Sequence, residues 1–568
     1  MNKIKWLNNK KNIEVTIVSL IVLFALSIRI YGIGTTELYH DPANFAKSAE
    51  EVAKFGGNAW AIADLNPPVF TWLSAVPIGI FGLNETTARI VSSILGAFSV
   101  LLVYFLLKLW FEKRVAYCGS LLFAVTPLHV LFSRLAFSDV TQSFFLLAAI
   151  LISEYTISKW EILVKKKMII FSAFLHGVLI ATAFLTKYNT LPYIGLYWIL
   201  NIGWFFMKKD KKRVWELFKY GFISAIFMSL VSVIVMIITD GVYRVFYVAY
   251  NVVLFAVLQS DLVVNSFYYH LFLLFDAISP LLAIIIIPEI VFTAWSVFVK
   301  YKKENEKIAR PVFIVLMMTV LYYLIITFQK RRLARHEVII MPFVIMAVIL
   351  SVYLFVKHFR DIPNSKKNRY FVFLSMAIIV FVSFWTIYEI NKTEGVDVWK
   401  RMGVYMKENY PENTTLYVIA NDYWPIKYYV TDNLHTGKYA VLKNGDLAVL
   451  TKIKEGENVL ENSPFENNAL LYRSKTDFDP EFMNFTLEHG KVEKIFYYKG
   501  EPAVWIFRMV NISNMNESIV PMDNDWGDLT KTWNFGCNVL NIGFVKGMVS
   551  HFMSEGQKES ISSRCGIN

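Results

Sequence analysis

Charged residues are scarce in this chain. Asp, Glu, Lys and Arg together make up 18% of its 568 residues, whereas 55% are hydrophobic. The mean hydropathy is +0.44, and a typical soluble domain carries about 25% charged residues. This deficit excludes a soluble globular protein of this size, so the sequence predicts a protein that is solvated largely by lipid.

Cysteine is also rare, with three in the chain. None is spaced as metal-binding cysteines are. Cys118 lies in an apolar run. Cys537 and Cys565 lie in the C-terminal segment, where a disulfide and two free thiols are equally compatible with the sequence.

The net charge of +12 does not indicate nucleic-acid binding, because the basic residues are unevenly distributed. Residues 391–568 hold 19 Lys and Arg against 23 Asp and Glu, while the preceding part holds 38 against 22. Most of those 38 lie in short runs between apolar segments. This distribution is typical of a membrane topology signal.

About eleven apolar runs are long enough to cross a bilayer. They lie at about 13–33, 86–107, 115–132, 138–157, 168–186, 190–207, 217–239, 271–299, 311–328, 338–356 and 370–390. The alternating connections carry 26 Lys and Arg on one side and nine on the other. The predicted fold is therefore an α-helical polytopic protein of the cell membrane with a cytoplasmic N-terminus. Its transmembrane domain is 1–390, and an extracytoplasmic α/β domain follows at 391–568.

The first outer loop, 34–84, is unusually long. It contains an amphipathic stretch from Pro42 to Phe55, and then Asn66, Pro67 and Pro68 lead into an apolar piece that ends at Phe81. That piece is too short to cross the membrane, so we expect it to lie in the interface or to dip in and return.

Asp41 stands before Pro42 at the start of this amphipathic stretch. The simpler interpretation is an N-cap, because Asp is favoured there and Pro is favoured at the first helical position. The functional alternative is a general base at the outer membrane face.

The short second outer loop carries Arg134 and Asp139, which could form a local ion pair or a cap. The third outer turn carries Lys187, for which a lysine reaching toward the headgroups is the ordinary explanation.

The last outer connection breaks the charge pattern with four basic residues between Lys330 and Arg335. If the next helix begins here, Arg332, Arg335 and His336 share one face, and guanidinium groups suit a phosphate. Attraction to anionic lipid headgroups is the alternative. Because these charges lie on the side that the positive-inside rule disfavours, we favour a bound phosphate.

Five short motifs follow one another along the chain. They are His40 to Phe45, Asn66 to Val69, Arg134 to Asp139, Leu185 to Asn189, and Arg335-His336 running into Met341-Pro342. In this order the chain resembles the GT-C glycosyltransferases of the protein O-mannosyltransferase type, the group that includes the lipid A aminoarabinose transferases. The resemblance covers about residues 13–390 and implies an inverting transferase. Such an enzyme moves a sugar from a polyprenyl (dolichyl or undecaprenyl) phosphate to a protein or lipid-linked acceptor on the outer face. Enzymes of this type are generally described as metal-independent, so the resemblance implies no metal or other cofactor, although dependence on a divalent metal stays open.

The resemblance also implies roles for particular residues. Asp41 would be the catalytic base, Arg134 and Asp139 the second-loop pair, and Asn66, Pro67 and Pro68 structural residues of the first loop. The contacts to the donor phosphate would come from Lys187, Arg332, Arg335 and His336.

Two other classes of function are alternatives to a transferase. A transporter or flippase of lipid-linked saccharides would also need outer-face cations and intramembrane acids, such as Asp276 and Glu289 in the predicted eighth span. A receptor or scaffold would use residues 391–568 to bind a partner.

Overall fold

The chain divides into two compact units. A computed structural model describes residues 2–38, 40–56, 67–165, 167–240, 245, 306–327, 337–358, 363–393, 398–411, 414–418, 428–429, 434–435, 439–441, 447–451, 486–498, 501–510 and 519–521. The first unit, which we call the helical unit, comprises 1–33, 64–235 and 252–393. The second, the mixed unit, comprises 34–63, 236–251 and 394–568.

Most of the described helices follow the apolar runs of the sequence. They are α1 (Asn2–Ile30), α2 (His40–Phe55), α3 (Pro68–Phe81), α4 (Glu85–Trp110), α5 (Lys113–Ala124), α6 (Pro127–Ser133), α7 (Ser138–Ser158), α8 (Trp160–Lys165), α9 (Ile169–Phe184), α10 (Thr190–Met207), α11 (Lys211–Asp240), α12 (Glu306–Thr327), α13 (Met341–His358), α14 (Asn364–Thr393) and α15 (Val398–Asn409).

Six of the described helices are long and apolar enough to cross a membrane, namely parts of α1, α4, α7, α11, α12 and α14. The pair α5 and α6, bent by 58°, would make a seventh if it forms one span. The chain is thus a multi-pass membrane protein, as the sequence predicts. The count of about eleven stays a prediction, and the predicted span 271–299 lies outside the described residues.

The helix α4 is central in the helical unit, since α1, α3, α5, α6 and α7 all pack against it. Small residues allow this close approach: Ser92 and Ser93 are fully buried, and their hydroxyls donate to the backbone oxygens of Phe137 (3.1 Å) and Ser133 (2.8 Å). A Cβ at Gly96 would collide with the Ser133 side chain. Small residues and interhelical hydrogen bonds therefore take the place of a hydrophobic driving force here.

The short apolar piece of the first loop forms α3. Pro67 precedes it in an extended conformation (φ −63°, ψ 144°), and Pro68 occupies the first helical position, where its missing N–H costs nothing. Fourteen residues of helix span about 21 Å, less than the roughly 30 Å hydrocarbon core. The helix exposes Val76, Ile80 and Phe81, which are 60–73% accessible. These features agree with a helix too short to cross the membrane.

The mixed unit combines α2 and α15 with strands. These strands are β1 (Leu416–Val418), β2 (Leu434–His435), β3 (Tyr439–Val441), β4 (Leu447–Thr451), β5 (Gly490–Tyr498), β6 (Glu501–Met509) and β7 (Ile519–Pro521). One sheet has the order β2-β1-β4-β6-β5, and β3 pairs with β7 in a second. The strand β1 pairs in parallel with β2 and β4, whereas β6 pairs antiparallel with β4 and β5.

The β5–β6 hairpin carries a polar cluster at a bulge. Glu493 is the extra residue between Val492, which pairs with Phe507, and Lys494. Its carboxylate accepts hydrogen bonds from Arg508 Nε (3.0 Å) and from the Tyr410 hydroxyl (2.8 Å). The guanidinium and the hydroxyl hold the pKa of Glu493 below its ordinary value.

Candidate active site

Asp41 lies in the first turn of α2, within the mixed unit. The helix begins at His40, so Asp41 is one residue inside it rather than at the cap position. A carboxylate in the first turn still interacts favourably with the N-terminal end of the helix dipole. The side chain is half-buried, and Ala43, Ala46 and Ala49 form a buried face of the same helix. The helix therefore gives Asp41 a defined position.

Glu37 and Leu38, the two residues before Tyr39, are tied to the rest of the mixed unit. Glu37 is 3% exposed, and its carboxylate accepts the backbone N–H groups of Trp399 (3.0 Å) and Lys400 (2.5 Å). The N–H of Leu38 donates to the Tyr429 hydroxyl at 2.7 Å. No sequence pattern predicts these contacts, because Glu37 belongs to no motif and its partners lie 362 and 363 residues further along the chain.

Asp139 and Lys187 form an ion pair inside the helical unit. The distance from Lys187 Nζ to Asp139 Oδ1 is 2.5 Å. Asp139 is in the first turn of α7 and its side chain is 1% exposed, whereas Lys187, between α9 and α10, is 21% exposed. The second oxygen of Asp139 is buried with no hydrogen-bond partner among the described residues. The pair thus combines a buried carboxylate with a lysine side chain that is partly exposed.

The turn that carries Lys187 is held by a buried glutamine. Gln142 Nε2 lies 3.3 Å from the Lys187 backbone oxygen and 2.7 Å from both Asn189 Oδ1 and Thr190 Oγ1. On the other side of the turn, the N–H of Val69 donates to the Leu185 oxygen at 3.0 Å. The structure therefore brings together the double-proline motif, the second-loop acid and the third-turn lysine, which are distant in sequence.

Arg134 does not pair with Asp139 in this structure. It ends α6 and is 7% exposed, and its guanidinium donates to the backbone oxygens of Ile28, at 2.9 Å, and Tyr31. Arg29 and Arg89, both fully buried, also donate to backbone oxygens at this end of α1. Carbonyls in the last turn lack intrahelical donors and favour cations. The geometry gives Arg134 a capping contact, and the role that the resemblance implies for it stays a prediction.

Several predicted residues lie outside the described part of the chain. They are Asn66, Arg332, Arg335, His336, Asp276, Glu289, Cys537 and Cys565. The phosphate site at 330–336 and the pairing of the two C-terminal cysteines therefore stay predictions. Among the described residues, no group of three His, Cys, Asp or Glu side chains is arranged to hold a metal ion.

A second buried charge cluster lies away from these motifs. The Glu154 carboxylate, fully buried, contacts Arg310 and accepts hydrogen bonds from Trp110 Nε1 and the Tyr197 hydroxyl, both at 2.8 Å. Arg310 also donates to Asn201 Oδ1 at 2.6 Å. This network joins α4, α7, α10 and α12. A single Glu in an apolar run could have indicated a paired intramembrane charge, but not its partner.

Part of the helical unit matches a known family. Residues 65–238 match the sequence profile of the family described as dolichyl-phosphate-mannose-protein mannosyltransferase. A Bacillus subtilis (strain 168) protein named "Putative mannosyltransferase YkcB" is 29% identical over 204 residues, which is 34% of this chain. The chain spans 27% of the length of that relative. The predicted resemblance to the protein O-mannosyltransferase type is confirmed.

Solved structures extend the likeness to most of the chain. The oligosaccharyltransferase AglB from Archaeoglobus fulgidus, in complex with an inhibitory peptide and a dolichol-phosphate, is 12% identical with a TM-score of 0.53. It is similar over 75% of this chain and 64% of its own. ArnT from Cupriavidus metallidurans, bound to undecaprenyl phosphate, is 11% identical with a TM-score of 0.54 over 88% of this chain and 98% of its own. The chain shares its fold with AglB and ArnT. The shared fold is not confined to residues 65–238.

Proposed function

We propose that the protein is a membrane glycosyltransferase that moves a sugar from a polyprenyl phosphate to an acceptor at the outer membrane face. The observation that carries this proposal is the mannosyltransferase-family match over residues 65–238. That segment contains Arg134, Asp139 and Lys187, together with the double proline. The structures of AglB and ArnT, which contain dolichol-phosphate and undecaprenyl phosphate, support a lipid-linked donor. These comparisons favour a transferase over a transporter or flippase of lipid-linked saccharides.

The proposed reaction inverts the anomeric carbon. The acceptor hydroxyl attacks that carbon from the face opposite the phosphate, and the bond between the carbon and the phosphate oxygen breaks. The electron pair leaves with the polyprenyl phosphate, and the acceptor proton passes to Asp41 as general base. A half-buried carboxylate in the first turn of a helix suits this role, since the helix holds it in position while part of the side chain stays exposed.

The leaving phosphate gains negative charge as the bond breaks, so cations beside it stabilise the transition state. We propose Lys187 as one of them, because its Nζ is held by Asp139 and keeps two further donors. Arg332, Arg335 and His336 would complete the phosphate site. This assignment supposes that the outer loops and residues 391–568 lie outside the cytoplasm, which the charge distribution supports.

The replacement Asp41→Asn tests the proposal. It preserves the shape of the side chain but removes the base, so we expect transfer to fall by about 10²–10⁴-fold. Glu50→Gln is a matched control on the same helix, since Glu50 pairs with Lys54 at 2.7 Å. Mass spectrometry of glycans and lipids from cells expressing each variant should show loss of a glycosylated product with Asp41→Asn alone. Wild-type product levels with Asp41→Asn would refute the role of Asp41.

A further inference from the structure

The segment that leads into Asp41 is anchored at the N-terminus of α15. Trp399 and Lys400 are the second and third residues of that helix, and their N–H groups have no acceptor within it. The Glu37 carboxylate accepts both, at 3.0 and 2.5 Å. A residue of the first loop therefore caps a helix that begins 361 residues later in the chain, and the charge complements the helix dipole.

A second contact fixes the next residue of the segment. Leu38 is fully buried, and its N–H donates to the Tyr429 hydroxyl at 2.7 Å. The Lys400 ammonium lies 6.0 Å from the centroid of the Tyr429 ring, so the two contact points are themselves linked. We call Glu37, Leu38, Trp399, Lys400 and Tyr429 the loop anchor.

The loop anchor restricts where Asp41 can lie. Asp41 is three positions after Leu38 in the chain, and an extended chain covers at most about 3.6 Å per residue, so the two Cα atoms are no more than about 11 Å apart. The α2 helix begins within this interval and fixes the direction of the side chain. A catalytic group displaced by about 1 Å can lose about a hundredfold in rate.

We propose that Glu37 and Tyr429 are positioning residues for Asp41, and that the N-terminal end of α15 and Tyr429 therefore contribute to the geometry of the proposed active site. This inference rests on the proposed function. Neither residue touches the reacting atoms. Each acts by holding the segment 37–41, and the C-terminal segment supplies the helix end and the hydroxyl to which it is held.

Two replacements test the inference in the full-length protein. Glu37→Gln keeps the size of the side chain but loses the charge that complements α15, and Tyr429→Phe removes the acceptor for Leu38. Glu493→Gln and Tyr410→Phe are matched controls, because they make the same chemical changes in the polar cluster of the β5–β6 hairpin. Native membranes would be supplied with a panel of radiolabelled undecaprenyl-phosphate monosaccharides, and donor consumption would be measured.

We expect Glu37→Gln to lower kcat by about 10- to 100-fold and to leave the KM for the donor within about twofold. Tyr429→Phe should lower kcat less, and the two controls should match the wild type. Hydrogen exchange followed by mass spectrometry should show faster exchange at residues 399–400 in Glu37→Gln, with unchanged protection in β5 and β6.

Three outcomes would overturn the inference, and they are distinguishable. An active wild type whose Glu37→Gln and Tyr429→Phe variants match the controls would remove the positioning role and leave the proposed function intact. Loss of protection throughout β5 and β6 would make Glu37 a general folding residue. A wild type that consumes no donor from the panel would remove the proposed function itself, and the loop anchor would then be a purely structural contact.

Discussion

At the scale of single residues, the same lysine serves structure and, in our proposal, function. Lys187 neutralises Asp139, which is 1% exposed and could not stay ionised in this position without a partner. Loss of activity on changing Lys187 would therefore be ambiguous by itself, because removal of the lysine also leaves a buried carboxylate unpaired. Both residues of the pair must be replaced to separate the loss of stability from the loss of a contact with the substrate.

We predict that Lys187→Met lowers the stability of the protein by about 3 kcal/mol. This value is at the low end of the range for a broken buried ion pair, because the lysine is partly exposed. Adding Asp139→Asn should restore most of that loss, since no unpaired charge then remains. Transfer should stay low in the double variant, because the contact to the donor phosphate is still missing. Thermal unfolding in detergent and the donor-consumption assay measure the two quantities. Recovery of activity together with stability would argue against a phosphate contact.

At the scale of secondary structure, the elements follow from local pattern and the contacts between them do not. The prolines at positions 67 and 68 predict the start of α3, and apolar runs predict the long helices. By contrast, no local signal predicts that Arg310 pairs with Glu154, 156 residues away, or that Glu37 caps α15. The sequence contains several chemically suitable partners for each of these polar groups. Only tertiary packing decides which partner lies close enough to pair.

The packing around α4 gives a prediction at this scale. Replacement of Gly96 by Ala should destabilise the protein by about 1–3 kcal/mol, because the new Cβ would collide with Ser133 and approach Arg29 Nε to 3.2 Å. Gly203→Ala in α10 is the control, since nothing lies within 4 Å of a Cβ there. Alanine is the better helix former, so Gly203→Ala should leave stability unchanged or raise it. Equal melting temperatures for the two variants would contradict the close approach of α4 and α6.

At the scale of the whole molecule, the proposed function depends on topology. Sequence alone predicts the multi-pass character, because apolar composition requires lipid, and it predicts the family type through short motifs in a fixed order. It also predicts that Asp139 and Lys187 lie in neighbouring outer turns, which the structure brings into contact. The contacts of Arg134 are not predictable in this way, because its position in a motif does not reveal that its guanidinium caps α1.

The orientation predicts the side from which the 330–336 cluster is accessible. In a protein whose three native cysteines are replaced by Ser, Ala334→Cys should react with a membrane-impermeant maleimide in intact cells. Glu161→Cys, in a predicted inner connection, should react only after the cells are permeabilised. Labelling of the two sites in the opposite order would invert the topology and remove the outer-face location of the proposed active site.

The division of the chain has a consequence for protein engineering. Residues 34–63 of the first loop belong to the same compact unit as 394–568, although they are inserted in the sequence of the helical unit. A chimera that exchanges only the C-terminal segment with a relative would separate Glu37 from the helix end that it caps. The exchangeable module is therefore discontinuous, and residues 34–63 and the C-terminal segment must come from the same parent for their contacts to be kept.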